Sequence, residues 1–267
     1  MIYYYSACGN SRHVAESLAQ ALGEQLAFIP EALRNGNTDF ASHEGEPLGL
    51  VFPIYSWRVP QLVSDFIANL AIKSKPAYSY IVATYGDNAG IADKLFSRQL
   101  ANKGLVLHAA YGIAMPNTYV NLSFMNIDTP ELTQQKLAAA EPQIAAIAEN
   151  IKRQAHLNTI CRGSLPWFKS VVIGSLFNSI TSDKAYHATD LCISCGRCAA
   201  VCPLHNITID KPSPDAPAPR PAWHGQCNHC EACYHHCPTN AIQYGKATKG
   251  KGQYHYPAQG TIGHEHL

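Results

Sequence analysis

The chain has 267 residues, of which 46% are apolar and 15% charged, with 20 basic and 19 acidic side chains. This composition is typical of a globular protein with one large domain and a smaller unit, and the near-zero net charge does not favour nucleic acid as a partner. No apolar run approaches the roughly 18 residues that span a bilayer. The first residues, MIYYYSACGN, lack the basic start and long apolar stretch of a signal peptide. We therefore expect a cytoplasmic protein without membrane insertion.

Short apolar runs alternate with helical patterns along the first part of the chain. Five runs predict strands: MIYYY at the start, LAFIP (26–30), LGLVFPI (48–54), SYIVATYG (79–86) and LVLHAAYGIAM (105–115). Helices are predicted after four of them, at 11–23, 60–70, 90–103 and 130–156. This alternation predicts an α/β fold with a doubly wound, five-stranded parallel sheet covered on both faces.

The chain divides into four predicted parts. The α/β domain, 1–156, is followed by a connector, 157–183, whose segment LPWFKSVVIGSLFNSI predicts a helix that packs its aromatic side chains on a domain face. Residues 184–245 contain two cysteine runs separated by a proline-rich loop that excludes regular helix. The last part, 246–267, is rich in Lys and His and predicts a solvated polar tail.

Three loops at the carboxyl ends of predicted strands contain residues suited to a nucleotide. Ligands of open parallel sheets bind beyond these ends, where the strand order reverses. The first loop leads into a helix and offers small polar side chains and backbone N–H groups to a phosphate. The other two loops supply aromatic rings that can enclose a flat ring system. The candidates are Ser6, Ala7, Cys8, Gly9, Asn10 and Ser11, then Pro53, Tyr55 and Trp57, then Thr84, Tyr85, Gly86 and Asn88.

Each loop also has a plainer interpretation. A loop rich in Ser and Asn can simply cap a helix, and an exposed Trp or Tyr can pack on its neighbour. Cys8, before a predicted helix, would have a favoured thiolate, but we expect a passive contact rather than a reactive thiol. The convergence of three loops on one sheet edge favours a bound flavin, which the stretch MPNTYVN (115–121) could also reach.

Eight of the ten cysteines form two copies of the pattern C-x2-C-x2-C-x3-C-P, and the second copy begins 35 residues after the first. Three thiolates of each run can reach three corners of a cubane cluster, and the fourth, before the proline, reaches the other cluster. We therefore predict two [4Fe-4S] clusters with crossed ligands. One is assigned to Cys192, Cys195, Cys198 and Cys237, and the other to Cys202, Cys227, Cys230 and Cys233. Ile207 and Ile242, each five residues after the last cysteine of its run, are predicted to shield the clusters.

Zinc is the competing interpretation of paired CxxC motifs. Tetrahedral zinc requires neither a third cysteine at the next step nor a repeated Cys-Pro, so iron-sulfur clusters are favoured. Cys161 lies outside both runs and is predicted to be a buried thiol. His229, His235 and His236, inside the second run, are expected to be solvated, although such side chains could tune a cluster potential.

Residues 1 to about 155 resemble a flavodoxin on the motifs S-x-x-G-N-S, P-x-Y-x-W and T-Y-G. The resemblance implies noncovalently bound FMN, with Ser6, Gly9, Asn10 and Ser11 at the phosphate and with Trp57, or Tyr55 in its place, and Tyr85 flanking the ring. Ala7 and Cys8 stand where that loop usually has a glycine and a threonine. Residues 184–245 resemble a bacterial ferredoxin with two [4Fe-4S] clusters. The whole chain resembles the flavodoxin-ferredoxin fusion proteins of the EFR1 family.

These resemblances imply an electron-transfer protein in which FMN exchanges electrons with two clusters and with an external redox protein or complex. A flavoenzyme that reduces a quinone or consumes NAD(P)H, with the clusters as its electron supply, is the alternative, and whether the chain is an enzyme stays open. A third hypothesis gives the clusters a purely structural role. No G-x-G-x-x-G motif follows any strand, so a second dinucleotide site is not predicted.

Overall fold

A computed structural model of the protein describes residues 1–40, 46–211 and 218–256. The chain divides into two compact units. The first unit comprises Met1–Ser6, Asn10–Pro116 and Thr129–Ser179, and the second comprises Ala7–Gly9, Asn117–Asp128 and the described residues from Ile180 onward. Within the described ranges, no helix is both long and apolar enough to cross a membrane.

The first unit alternates strands and helices along the chain. Its elements are β1 (Ile2–Tyr4), α1 (Asn10–Leu22), β2 (Leu26–Phe28), α2 (Ile29–Arg34), β3 (Asp39–Phe40), β4 (Leu48–Pro53), α3 (Gln61–Asn69), β5 (Ala71–Ile72), β6 (Ser79–Tyr85), α4 (Ala92–Ala101), β7 (Ala109–Ala114), α5 (Pro130–Lys152), α6 (Pro166–Phe168), a π-helical turn (Lys169–Ile173) and α7 (Gly174–Ile180). The sequence predicted the five longer strands and the main helices, but not the short parallel pair β3 and β5.

Five strands form a parallel sheet in the order β2-β1-β4-β6-β7. The order reverses between β1 and β4, which is the point where doubly wound sheets bind ligands. All seven residues of β6 are buried, as are the first five of β4. Strands buried on both faces are continuous apolar runs, which explains why these segments were recognisable in the sequence. The predicted flavodoxin-like α/β fold class is confirmed.

The helices cover the sheet with the faces that the sequence periodicity predicted. Helix α1 buries Val14 and Leu18 together with the adjacent alanines Ala15 and Ala19. Helix α5 begins at Pro130 after the N-cap Thr129, whose hydroxyl accepts a hydrogen bond from the backbone N–H of Leu132. Its buried side chains include Ile144 and Ile151.

The connector helix packs through the small residue Ser170, while Trp167 and Phe168 remain exposed. Ser170 is fully buried, and its hydroxyl accepts a hydrogen bond from the backbone N–H of Ile91 at 2.9 Å. By contrast, Trp167 is 61% exposed and Phe168 47% exposed. The helix therefore packs on a domain face as expected, but the expectation that its aromatic side chains are core was wrong for Trp167 and Phe168. Small side chains let the helix approach the neighbouring loop closely, and the bulky ones remain outside.

The second unit is built from two antiparallel strand pairs and two short helices. In chain order its elements are a 3-10 turn (Asp183–Ala185), β8 (Tyr186–Ala188), α8 (Arg197–Ala200), β9 (Ile207–Asp210), β10 (Arg220–Trp223), α9 (Ala232–His235) and β11 (Ile242–Tyr244). Strand β8, before the first cysteine run, pairs with β11, after the second run. Strand β9, after the first run, pairs with β10, before the second. Each strand pair therefore contains one strand from each half of the repeat.

The sequence repeat is also a repeat of backbone conformation. Three pairs of residues, each 35 positions apart, share positive φ angles: Ser194 (55°) with His229 (49°), Gly196 (76°) with Glu231 (60°), and His205 (49°) with Asn240 (51°). Each member occupies the same place relative to the cysteines of its run. The two runs therefore fold into equivalent loops.

Part of the predicted polar tail packs within the second unit. Thr248 is fully buried and Lys251 is 9% exposed. The ammonium of Lys251 donates to the backbone carbonyls of Val120, at 2.7 Å, and of Leu122 and Met125. The expectation of a solvated surface was therefore wrong for Thr248 and Lys251, because backbone carbonyls satisfy the charged group of Lys251 in place of water, whereas Lys246 and Lys249 are exposed. Residues 257–267 lie outside the described ranges.

Candidate redox site

Four cysteines from both runs surround one recess in the second unit. Cys192, Cys195, Cys198 and Cys237 line it, together with the apolar side chains of Ile193, Ile209, Pro238 and Ile242. The thiol of Cys198 lies within the electrostatic influence of the other three cysteines. This is the first of the two crossed sets predicted from the spacing.

The second crossed set is assembled in the same way. The buried thiol of Cys233 lies within the electrostatic influence of Cys230, Cys227 and Cys202, and also of Cys198 from the first set. Cys227 is likewise influenced by Cys230 and Cys202. Both sets of four therefore form within one small unit, and they lie next to each other.

The arrangement fits multi-iron clusters. The first set of cysteines lines a recess, as a cubane cluster requires. Burial raises the pKa of the Cys198 thiol to about 11 and that of Cys227 to about 12. Bound iron would offset the effect of burial on the thiol pKa values and hold the sulfurs as thiolates.

Backbone N–H groups point at ligand sulfurs in both halves. The backbone N–H of Asn206 donates to Cys202 Sγ at 3.3 Å, and that of Ala241 donates to Cys237 Sγ at 3.2 Å. Each donor lies four residues after the cysteine to which it bonds. Such N–H···S contacts orient the ligands and raise the reduction potential of a cluster by stabilising its added negative charge. Ile207 and Ile242 are 5% and 1% exposed and pack with the cysteines, where they can shield the clusters.

The two sets differ in their access to solvent. Cys195 of the first set is exposed, and the adjacent side chains Leu191 and Ile193 are 62% and 63% exposed. In the second set, Cys233 is buried and the other three cysteines are intermediate. A cluster in the first set would therefore lie closer to solvent.

The loop after β4 makes a strained turn that displays Trp57. Tyr55 and Arg58 exchange backbone hydrogen bonds of 3.0 and 2.9 Å, and Ser56 and Trp57 between them have φ angles of 47° and 58°. Two consecutive left-handed residues define the two-residue turn that usually contains Asn and Gly. The indole N–H of Trp57 donates to Asn88 Oδ1 at 2.9 Å, and Lys169 Nζ lies 5.4 Å from the ring centroid. Strain kept at a sheet edge is typical of a binding site.

Three of the predicted flavin contacts have side chains in the core of the first unit. Tyr85 is buried, its ring lies where a side chain on Gly112 would be, and its hydroxyl accepts a hydrogen bond from the backbone N–H of Cys161 at 3.1 Å. The hydroxyls of Ser11 and Thr84 are buried and bond to each other at 2.8 Å. A ring-stacking role for Tyr85 and a phosphate role for the Ser11 hydroxyl do not fit these placements.

The first loop is divided between the two units. Ser6 and Asn10 belong to the first unit, and the side-chain amide of Asn10 donates to the Pro116 carbonyl at 2.9 Å. Ala7–Gly9 belong to the second unit. Gly9 has φ 93°, and a Cβ added there would lie 2.6 Å from Cβ of Tyr256. The glycine therefore accommodates Tyr256 in this structure.

Cys8 differs from the sequence-based expectation of a favoured thiolate. Its side chain is buried, with Sγ 4.0 Å from the carbonyl oxygen of Cys230, and its own carbonyl accepts a hydrogen bond from Tyr256 at 2.7 Å. Burial raises the pKa of the Cys8 thiol well above its ordinary value. Cys161 is a second difference, because it was expected to be buried and is exposed.

The remaining predicted flavin residues lie at the carboxyl edge of the sheet in the first unit. Pro53 is the last residue of β4, and Tyr55 packs edge-on against Tyr5 with ring centroids 6.2 Å apart. The carbonyl of Gly86 accepts a hydrogen bond from Lys136 at 2.9 Å. Of the stretch 115–121, considered for flavin contact, Met115 and Pro116 belong to the first unit and residues 117–121 to the second.

Buried polar residues of the second unit were missed by sequence reasoning. Glu231 and His235 are each 2% exposed, and both bond to the segment 118–121. His229 is also buried, so the expectation that His229 and His235 are solvated was wrong. Aligning the two runs would have singled out Glu231, because it replaces Gly196 of the first run. Lys251 had no such signal, since a lysine in a polar tail is usually exposed.

Comparisons with known proteins bear on each unit separately. Residues 176–242 match the family described as a 4Fe-4S dicluster domain. No curated protein matches the chain at a significant level. Similar solved structures include Trp repressor binding protein from Bacillus subtilis, with 12% identity, 56% of this chain and 96% of that chain covered, and a TM-score of 0.36. A flavodoxin from Streptococcus pneumoniae TIGR4 has 15% identity, coverages of 55% and 97%, and a TM-score of 0.31.

A third similar structure is an FMN-dependent NADH-azoreductase from Bacillus anthracis in complex with FMN, with 10% identity, coverages of 55% and 98%, and a TM-score of 0.32. The fold class itself rests on the strand order of the first unit. A flavodoxin-like sheet followed by a 4Fe-4S domain defines a redox protein that transfers electrons.

Proposed function

We propose that this protein carries electrons between a bound FMN and two [4Fe-4S] clusters, and exchanges them with an external redox protein or complex. The observation that carries the proposal is the pairing of two crossed sets of four cysteines side by side in the second unit. One set is Cys192, Cys195, Cys198 and Cys237, and the other is Cys202, Cys227, Cys230 and Cys233. Two adjacent clusters provide a path for single electrons, whereas one cluster would suffice to stabilise a fold.

Several features of the first unit support FMN as the other carrier. The N-terminus of α1, which begins at Asn10, offers N–H groups to a phosphate. Trp57, in its strained turn and bonded to Asn88, is the aromatic group best placed to stack on a flavin, with Tyr55 beside it. When bound, FMN exchanges electrons singly or in pairs, while each cluster passes one at a time.

The same features support membership in the EFR1 family of flavodoxin-ferredoxin fusions. Covalent fusion would keep two kinds of carrier together at a fixed stoichiometry. A cytoplasmic location suits ten cysteines that form no disulfide among the described residues.

The test begins with anaerobic purification and measurement of iron, sulfide and flavin per chain. About eight iron atoms and one FMN are expected, from two four-iron clusters and one nucleotide site. NADH, NADPH and a low-potential electron donor are then added separately while the visible spectrum is recorded. Bleaching only with the low-potential donor supports the carrier. Rapid bleaching by NADH or NADPH alone would instead support a flavoenzyme that consumes that nucleotide, and a zinc-loaded, colourless protein would refute both.

A further inference from the structure

The connector helix of the first unit has an inverted polarity. It runs from Pro166 to Ile180 through α6, the π-helical turn and α7. Its inner face carries Ser170, which is fully buried, and Gly174, where an added Cβ would lie 2.6 Å from the carbonyl oxygen of Ser56. A surface helix of a globular protein usually buries its apolar side chains and exposes its polar ones. This helix does the reverse.

Polar contacts fix the orientation of the helix. The Ser170 hydroxyl accepts a hydrogen bond from the backbone N–H of Ile91 at 2.9 Å, and the Ser170 carbonyl accepts one from Arg58 Nη1 at 3.1 Å. Arg58 also donates to Ser175 Oγ at 2.9 Å. Rotating the helix to bury its apolar side chains would break these bonds and leave buried polar groups unpaired. The apolar face is therefore held on the surface.

The outer face of the helix is a concentrated apolar patch. Phe168, Val172 and Leu176 follow one another at four-residue spacing, so they lie along one side of the helix. Exposed apolar patches of this kind mark sites of contact with a protein or a membrane. Six of the 13 large apolar side chains that are exposed in the described part of the chain form this outer patch, each of them 37% to 70% exposed: Leu165, Trp167, Phe168, Val172, Ile173 and Leu176.

The charge around the outer patch is complementary to an anionic surface. Between residues 157 and 182 the sequence has two basic residues, Arg162 and Lys169, and no acidic one. Arg162 is paired with Asp93, whereas the Lys169 ammonium donates to the neutral hydroxyl of Ser164 at 3.3 Å. The loops after β4 and β6, on which the helix packs, add one charged residue of each sign. The positive charge of Lys169 therefore dominates beside the patch.

An anionic lipid surface fits this combination better than a protein partner does. Helices that lie in the membrane interface combine Trp, Phe and Leu side chains with Lys or Arg, and they bind anionic headgroups without crossing the bilayer. A stable interface between two proteins uses about 20–30 residues on each side. The outer patch offers six apolar side chains on a single helix. This is enough to enter the headgroup region but little for a protein interface.

We propose that the connector helix docks the first unit on an anionic membrane surface through the outer patch. Trp167 and Phe168 enter the headgroup region, and Lys169 is attracted to the negative charge of the lipids. The inference goes beyond the proposed function and does not depend on bound cofactors. Because the helix packs on the loops after β4 and β6, docking brings these loops to the lipid surface.

The test is co-sedimentation of the full chain with vesicles of phosphatidylcholine, alone or mixed with anionic phosphatidylglycerol. Native protein should bind the mixed vesicles about fivefold more tightly, as one basic side chain at the surface implies, and salt should reduce this preference. Phe168→Ser combined with Leu176→Ser should weaken binding to the mixed vesicles about tenfold. The matched control combines Phe124→Ser with Leu132→Ser at exposed positions outside the connector, and it should bind as the native protein does.

Three results would overturn the inference: native protein that binds neither kind of vesicle, equal binding to both kinds, or equal losses in the two double variants. Sedimentation equilibrium without lipid covers the alternative occupant. A dimer that dissociates in the Phe168/Leu176 variant, formed by a protein that binds no vesicles, would assign the outer patch to a second copy of the chain. If circular dichroism shows this variant to be unfolded, Lys169→Gln decides. It should remove the preference for anionic vesicles, and an unchanged preference would count against the inference.

Discussion

The indole N–H of Trp57 donates a hydrogen bond to the side-chain oxygen of Asn88 at 2.9 Å, and this bond joins the loops that follow β4 and β6. Trp57 has a left-handed backbone conformation, which is strained for a residue with a side chain, and it is only partly buried. A strained aromatic side chain that a neighbouring loop holds in one orientation is a pre-organised stacking surface.

Removing either member of this pair should weaken FMN binding. Trp57→Ala removes the stacking surface, and Asn88→Ala removes the bond that orients it. A lost hydrogen bond of about 1.4 kcal/mol corresponds to a tenfold rise in Kd. We expect about tenfold for Asn88→Ala and more for Trp57→Ala, measured by flavin fluorescence during titration of flavin-depleted protein. Trp167→Ala, at a 61% exposed tryptophan of the same unit, is the control and should leave Kd unchanged. Equal Kd values for native protein and Trp57→Ala would contradict the assignment.

Cysteine replacements should show the crossing of the ligand sets by their lack of additivity. Cys198→Ala and Cys237→Ala each remove a ligand of the same predicted cluster, so the double variant should hold as much iron as either single variant, about four atoms per chain. Cys198→Ala combined with Cys202→Ala should remove both clusters. Iron analysis of anaerobically purified protein checks this. An uncrossed arrangement predicts the reverse, with the Cys198/Cys202 pair losing one cluster and the Cys198/Cys237 pair losing two.

Lys251 should be needed for the stability of the second unit. Lys251→Met keeps the apolar stem but leaves three backbone carbonyls without their shared donor. The bond to Val120 is buried and the other two are partly buried. An unpaired buried polar group costs about 1–3 kcal/mol, so we expect a loss of about 3 kcal/mol in the free energy of unfolding. Urea unfolding followed by loss of the iron-sulfur absorbance would measure it. Lys249→Met, at an exposed lysine two residues earlier, should change little, and similar values for the two variants would contradict the prediction.

The ion pair of Asp93 and Arg162 should stabilise the first unit throughout the neutral range. The guanidinium donates to both carboxylate oxygens, at 2.8 and 2.7 Å. Burial raises the pKa of Asp93, but the bonds from Arg162 and Asn158 outweigh it and hold this pKa below its usual value. A lowered pKa adds stability that is fully present above the unfolded pKa and is lost only as pH falls through the folded one.

Asp93→Asn should therefore reduce the free energy of unfolding by about 2 kcal/mol, after allowance for the partial exposure of Arg162. Tryptophan fluorescence during urea unfolding is the measurement, and the difference should be constant from pH 6 to 8. Glu16→Gln, which breaks the exposed pair with Arg12, should cost no more than about 0.5 kcal/mol. A difference for Asp93→Asn that disappears within this pH range would contradict the assigned pKa.

The cysteine spacing and the hydrophobic periodicity predicted most of the architecture. Strand β6 was recognisable from its apolar run, but all seven of its residues are buried, so the sequence pattern did not show which face of the sheet each side chain lies on. A strand buried on both faces has no polar side, so the motif T-Y-G could not show that the Tyr85 ring lies in the core. The motif was correct for the position of the loop and uninformative about the ring.

Long-range polar contacts could not be predicted from the pattern. Lys251 lies 126 to 131 residues from the carbonyls it serves, and Glu231 lies 111 residues from Val120. Charged residues are usually exposed, so their burial depends on partners that only the tertiary structure brings near. The connector shows the opposite case. Trp167 and Phe168 were expected to be buried and are exposed, whereas the polar residue Ser170 is buried.

The most direct test of electron transfer is an anaerobic reductive titration of the purified chain that counts the electrons it accepts. Two one-electron clusters and one two-electron flavin should take up about four electrons per chain, with paramagnetic iron signals appearing on reduction. Uptake of only two electrons, confined to the flavin absorbance and without an iron signal, would contradict the account.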